Sequence, residues 1–239
     1  MVFVHPGHTT KSCPDLYGED YFKGKVYKNY IGERHYRLQL FQRKFSLIKR
    51  HIPKGGKLLD VGCATGLFLE VAERIGYEVF GVEISNYAAG RVTETLRSNV
   101  FMGELEKARF SDEYFDIVAM WDTLEHLPRP LEDLQEVNRI LKTGGVIIIE
   151  TLNVACLNAK ILGPKWPLYA PPHHLFYFSL DTLSKLLLKG GFDIFEVEPI
   201  QTYSPIHSHR AIRYFDKSSL IRQLLKPLFA DVLLILARK

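Results

Sequence analysis

Three cysteines in 239 residues are too few for a disulfide scaffold. Their scarcity fits a reducing compartment, and a cytoplasmic location is the expectation. No apolar run approaches the ~18 residues that a membrane span needs, so no span is expected. The opening Met1-Val2-Phe3-Val4-His5-Pro6 is too short and too polar for a secretory signal. Charge of one sign is scarce as well. A net +4 without histidine lacks the concentrated basic stripe of a nucleic-acid footprint, so no nucleic-acid partner is expected. Internal repeats and low-complexity tracts are missing too. Metal-ligand spacing is equally thin: His5, His8 and Cys13 sit on an arm with Pro6, Gly7, Pro14 and Gly18, without a Cys-x-x-Cys pair, and no metal site is expected.

Apolar residues are plentiful at 46%, enough for a full core in one α/β domain with appendages. Residues 28–51 read as a helix. Tyr30, Ile31, Leu38, Phe41, Phe45 and Ile48 repeat on one face, and Arg34, Arg37, Arg43, Lys44, Lys49 and Arg50 supply a wet one. Strands at 57–61, 78–82, 99–102, 115–120 and 145–151 then alternate with helices at 67–75, 85–97 and 130–141. Apolar strands separated by helices imply a parallel sheet covered on both faces. Helix 180–189, strand 192–198, a polar loop 201–216, helix 218–229 and a last strand 231–237 complete the chain. Leu220–Lys226 reads as a basic amphipathic surface helix. The expected organisation is an arm and helix over residues 1–51 covering the cleft of a domain over 52–239.

The chemistry concentrates in Asp60-Val61-Gly62-Cys63-Ala64-Thr65-Gly66. It follows the apolar run Lys57–Val61 and precedes the helical run Leu67–Arg74. A strand, a glycine turn and a helix start make a cradle, because the backbone can approach a ligand where no Cβ intervenes and free N–H groups face an anion. Glu83 closes the next strand, where a carboxylate can accept hydrogen bonds from both hydroxyls of a ribose. A dinucleotide needs G-x-G-x-x-G. Ala64 and Leu67 stand in place of the second and third glycines, so the turn suits a smaller anion than a pyrophosphate, such as an amino-acid carboxylate.

These residues resemble motif I of the class I S-adenosylmethionine-dependent methyltransferases. Gly103-Glu104-Leu105 resembles the family's segment after the third strand. Phe115–Leu127 resembles its fourth strand and following loop, and Leu141–Thr151 the turn and fifth strand. His173-His174-Leu175-Phe176-Tyr177-Phe178-Ser179 with Gly190-Gly191-Phe192 resembles the substrate side of the branch that includes ubiquinone-biosynthesis O-methyltransferases. The resemblance spans roughly residues 17–200. It implies a doubly wound, mostly parallel seven-stranded sheet, Rossmann-like, with an antiparallel last strand at the sheet edge. It implies S-adenosylmethionine as cofactor and S-adenosylhomocysteine as product. The cofactor-binding residues it implies are Asp60, Val61, Gly62, Cys63, Gly66, Glu83, Ile84, Glu104, Leu105, Trp121 and Asp122, with Glu104 facing the adenine amine.

Methyl transfer from a sulfonium is an in-line displacement that needs alignment, and a base only if the acceptor must lose a proton. The candidate bases are His126, His173 and His174, since histidine titrates nearest neutrality, and the rate is expected to rise with pH near 6.5. Trp166, Tyr169, Phe176 and Tyr177, in the proline-rich loop 163–178, are expected to wall an acceptor pocket. Tyr17, Tyr21, Phe22 and Tyr30 are expected near the cleft. Cys63 reads as a small packing residue. The acceptor is expected to be a small molecule, methylated on a hydroxyl oxygen, with nitrogen and carbon acceptors left open. The rivals are a non-catalytic S-adenosylmethionine-binding module and a nucleic-acid methyltransferase, although Trp121-Asp122-Thr123-Leu124 is not the Asn/Asp-Pro-Pro-aromatic motif of amino-directed enzymes of the latter kind.

Overall fold

The computed structural model describes residues 2–3, 16–23, 30–200 and 230–239. A seven-stranded sheet carries the molecule, in the order β4-β3-β2-β5-β6-β9-β8. Its strands are β2 (Gly56–Val61), β3 (Tyr77–Glu83), β4 (Val100–Met102), β5 (Phe115–Trp121), β6 (Leu141–Leu152), β8 (Asp193–Ile200) and β9 (Val232–Arg238). β4, β3, β2, β5 and β6 run parallel, and β9 pairs antiparallel with both β6 and β8. β9 therefore lies one place in from the edge, and β8 forms the edge itself. A two-stranded ribbon joins β1 (Val2–Phe3) to β7 (Phe176–Tyr177).

Two apolar layers cover the sheet, as the unbroken apolar strands require. On one face Leu59, Val118, Met120 and Ile149 pack under α6 (Pro130–Ile140) and α8 (Leu180–Lys189) through Leu134, Val137, Leu183 and Leu187. On the other, Leu58, Ile117, Ala119 and Ile148 meet α2 (Arg34–Ile48) and α3 (Leu67–Arg74) through Phe45, Ile48, Phe68 and Val71. Neighbours along each strand alternate between the layers, as a period of two dictates. α6 opens with Pro130 in its first turn, and α8 with a reciprocal Ser179–Thr182 capping box.

The helix expected over 85–97 is two short ones, α4 (Asn86–Ala89) and α5 (Glu94–Arg97). Gly90 closes the first, and the β-branched pair Val92-Thr93 separates them. An unexpected helix, α7 (Leu157–Leu162), begins on Cys156, whose sulfur accepts from the Ala159 N–H at 3.3 Å. In the arm, α1 (Glu19–Lys23) buries Tyr21 and Phe22. The expected loop 201–216 and helix 218–229 lie outside the described residues, as do His5, His8 and Cys13.

Candidate functional site

β2, β3 and β5 end side by side, and the segments that follow them enclose a cavity of about 230 Å³. Asp60, Val61, Gly62, Cys63 and Ala64 line it from β2. Gly62 has φ +77°, and a Cβ there would stand 2.6 Å from the Thr123 hydroxyl oxygen. That oxygen lies 3.0 Å from the Val61 carbonyl, so the loops after β2 and β5 touch where no side chain intervenes. Gly66, also at φ +77°, turns the chain into α3 and stands behind the cavity lining. Cys63 packs its sulfur against Gly81, and burial pushes its thiol well up, which suits packing and not attack.

Asp60 is buried, and among the described residues its Oδ1 has no hydrogen-bond partner. Burial, then the nearby Glu83 carboxylate, raise its pKa well above the usual range, against the pull of Lys44. Glu83 and Ile84 bring the end of β3 to the same cavity. The Glu83 carboxylate accepts from the Ala64 N–H at 2.8 Å and the Ser85 N–H at 2.7 Å. Burial still raises its pKa, against those bonds. A glycine cradle, an orphaned carboxylate and a second one fixed by backbone donors fit a ligand that carries both positive charge and vicinal hydroxyls. Glu104, Leu105, Trp121 and Asp122 line the cavity as well. Asp122 holds a left-handed φ of +48° at the end of β5.

The arm supplies Tyr17, Tyr21, Phe22 and Tyr30 to the lining. The Tyr17 carbonyl accepts from the Ser85 hydroxyl at 2.5 Å, which ties the arm to the segment beside Glu83. α2 adds Arg37, Leu40, Phe41 and Lys44, one helical face. This corrects the assignment of Arg37 and Lys44 to a wet face. Lys44 is buried, ion-paired with Glu150 and set 5.0 Å from the Trp121 ring. The apolar periodicity hides this, because a lysine in a helix reads as solvated unless its buried partner is known. Leu127 ends the motif that begins at Phe115, and Pro128, Arg129 and Asp133, unmarked by any motif, complete the lining.

Of the three candidate bases only His126 lines the cavity. Its Nδ1 lies 2.8 Å from the His173 carbonyl, which can only accept, so Nδ1 carries the hydrogen and Nε2 the lone pair. The Tyr17 hydroxyl sits 3.1 Å from the same nitrogen. Burial, then His174, push the His126 pKa down to about 3. The His126 imidazole thus stays neutral near pH 6.5. His174 packs against the His126 ring at 4.8 Å, and its Nδ1 faces the Leu168 carbonyl at 3.0 Å. His173 contributes its carbonyl, and its ring rests 5.1 Å from Tyr21. A carboxylate oxygen of Glu125 and one ring nitrogen each of His126 and His174 lie within 4.8 Å of one another, a donor set that could hold a divalent metal. No spacing signals this group, because the fold brings His174 to the Glu125-His126 pair.

The loop 163–178 does not wall this cavity. Trp166 and Tyr177 are buried in an apolar cluster with Leu152, Cys156, Ala159 and Val232, and Tyr169 packs on both rings. Phe176 stacks on Phe178. Trp166, Tyr169 and Tyr177 complete a core with Cys156, Ala159 and Leu162 at α7.

The chain matches the methyltransferase-domain family model over residues 31–197, well over half its length. The chain belongs to this family. It is an S-adenosylmethionine-dependent methyltransferase, and S-adenosylmethionine is its cofactor. It is 28% identical over 182 residues to a ubiquinone biosynthesis O-methyltransferase of Methylococcus capsulatus, covering 71% of this chain and 74% of that one. Against the protein of the same description from Alkalilimnicola ehrlichii it is 33% identical over 148 residues, 59% of this chain and 53% of that one. A methyltransferase structure from Archaeoglobus fulgidus superposes with a TM-score of 0.66 over 92% of this chain and 97% of its own, at 24% identity. That likeness establishes the fold. Among the described residues, no helix of this methyltransferase is long and apolar enough to cross a membrane.

Proposed function

We propose that the chain moves the methyl group of S-adenosylmethionine to a hydroxyl oxygen of a small, ring-bearing acceptor, a phenol in the first instance. The observation that carries this reading is the roof of the cleft. Tyr17, Tyr21, Phe22 and Tyr30 lie over the glycine turn in one cavity with Phe41 and Trp121, and so favour a flat apolar acceptor. The relatives described as O-methyltransferases support the choice of oxygen.

When bound, S-adenosylmethionine supplies a methyl group on a sulfonium that leaves as a neutral thioether. In this reading Asp60 receives the positive end of the cofactor and Gly62 lets it approach the backbone. Glu83 accepts from the ribose hydroxyls, with Val61, Cys63, Ile84, Leu105, Trp121 and Asp122 as walls. Gly66 sets the helix start, and Glu104 borders the far end. Residues 1–51 act as the cover that excludes water. His126 receives the acceptor proton at Nε2. Because burial keeps its imidazolium unfavourable, it is a weak base. A phenol, more acidic than an alkanol, suits a weak base, and alignment then supplies most of the acceleration. Transfer of labelled methyl to a panel of phenols, alkanols and amines tests this. Phenol ethers are the expected product, and label found on amines alone would contradict the reading.

A further inference from the structure

We propose that Asp133, and not Glu104, reads the exocyclic amine of the adenine ring and so makes the cleft selective for adenosine over related nucleosides. The proposal rests on S-adenosylmethionine occupying the cavity described above. Neighbouring strands lie about 4.8 Å apart. A ligand whose charged end lies at Asp60 on β2 and whose ribose lies at Glu83 on β3 therefore extends its base past β3, toward the segment after β4. That end of the cavity is lined by Gly103, Glu104, Leu105 and Glu106 on one side and by Arg129 and Asp133 on the other.

The two candidate carboxylates differ. Glu104 is nearly half exposed, at 46%, and its Oε2 is already held by Lys107 at 3.1 Å. Glu106 is more exposed still and faces Arg129 at 3.6 Å. Asp133, in the first turn of α6, is only partly exposed, and among the described residues neither a hydrogen bond nor an ion pair engages its carboxylate. Burial raises its pKa to about 6, with Arg129 opposing and Glu132, Glu104 and Glu106 reinforcing. A desolvated acceptor without a donor is costly, and an amine N–H would relieve that cost. The amine of adenine is the donor at that end of the ligand. A 6-oxo base presents an acceptor instead, and two acceptors would then face each other.

Calorimetric titration at pH 7.5 of S-adenosylhomocysteine and S-inosylhomocysteine into the full chain tests this. The wild type should prefer the adenosyl ligand by roughly 100-fold, since a site built around one hydrogen bond rejects the analogue that lacks it. Asp133→Asn keeps an acceptor oxygen but adds an amide donor for the 6-oxo group, so the preference should fall by about tenfold or more. Glu104→Gln should leave the ratio within about twofold. A merely structural role for Asp133 would weaken both ligands together and leave the ratio intact. An unchanged ratio in Asp133→Asn, or a collapse in Glu104→Gln instead, would overturn the proposal. Binding of both ligands that Gly62→Val leaves untouched would instead overturn the placement of the cofactor.

Discussion

At the scale of single residues, charge governs the cleft. Asp60 is a carboxylate whose pKa burial and Glu83 raise. The folded chain thus holds its proton more tightly than the unfolded one. This contribution favours folding below the raised value and is lost as pH rises from about 4, the unfolded value, through it. A cationic cofactor binds the ionised form. Its affinity should therefore climb with pH across that window, and Asp60→Asn should flatten the climb; calorimetry of S-adenosylmethionine between pH 5 and 8 reads it. The Lys44–Glu150 pair makes a second case. Both side chains are close to fully buried, at 11% and 5% exposed, so removing one charge strands the other. Lys44→Met should cost about 3–5 kcal/mol in chemical denaturation, and Lys44→Met with Glu150→Leu should recover most of it. A double variant no more stable than the single one would show that the pair does not act as a unit. Asp60, Gly62 and Glu83 were legible because strand, glycine turn and carboxylate follow each other in the chain. Lys44 and Asp133 were not, because the weight of the first comes from a partner 106 residues away and that of the second from facing a cavity that only the fold creates.

Among the elements, the arm lines the cavity and the proline-rich loop does not. The arm, irregular in sequence, brings Tyr17, Tyr21, Phe22 and Tyr30 to the cavity and fastens itself to Ser85. Deleting residues 1–27 should weaken S-adenosylmethionine binding while lowering the melting temperature little. Cofactor affinity equal to that of the full chain would contradict a covering role. The loop 163–178, rich in aromatics and read as a pocket wall, instead completes a core around Trp166, which is 1% exposed. Trp166→Ala should cost about 3–5 kcal/mol of stability, and the protein that remains folded should bind cofactor as before. Composition alone could not separate these outcomes, since a tyrosine that roofs a cleft and a tryptophan that fills a core look alike until their neighbours are known. The alternating strands and helices were legible for the opposite reason: each is fixed by a local period. The break at Gly90 escaped because one glycine is tolerated in many helices. The inward place of β9 escaped because strand order is set by long-range pairing.

Over the whole molecule, the parallel strands β2, β3 and β5 end together, and three loops distant in sequence share one cavity. The family, the fold and the cofactor follow from that arrangement and from the match over residues 31–197. The central claim is that the cofactor lies on the turn after β2 with its ribose at Glu83. Calorimetric titration of S-adenosylmethionine into the wild type, Gly62→Val and Glu83→Ala tests it most directly. The account predicts one site in the wild type and near-complete loss in Gly62→Val, whose side chain would drive into Thr123. It predicts a loss of about 1–3 kcal/mol in Glu83→Ala. Wild-type affinity in both folded variants would contradict it.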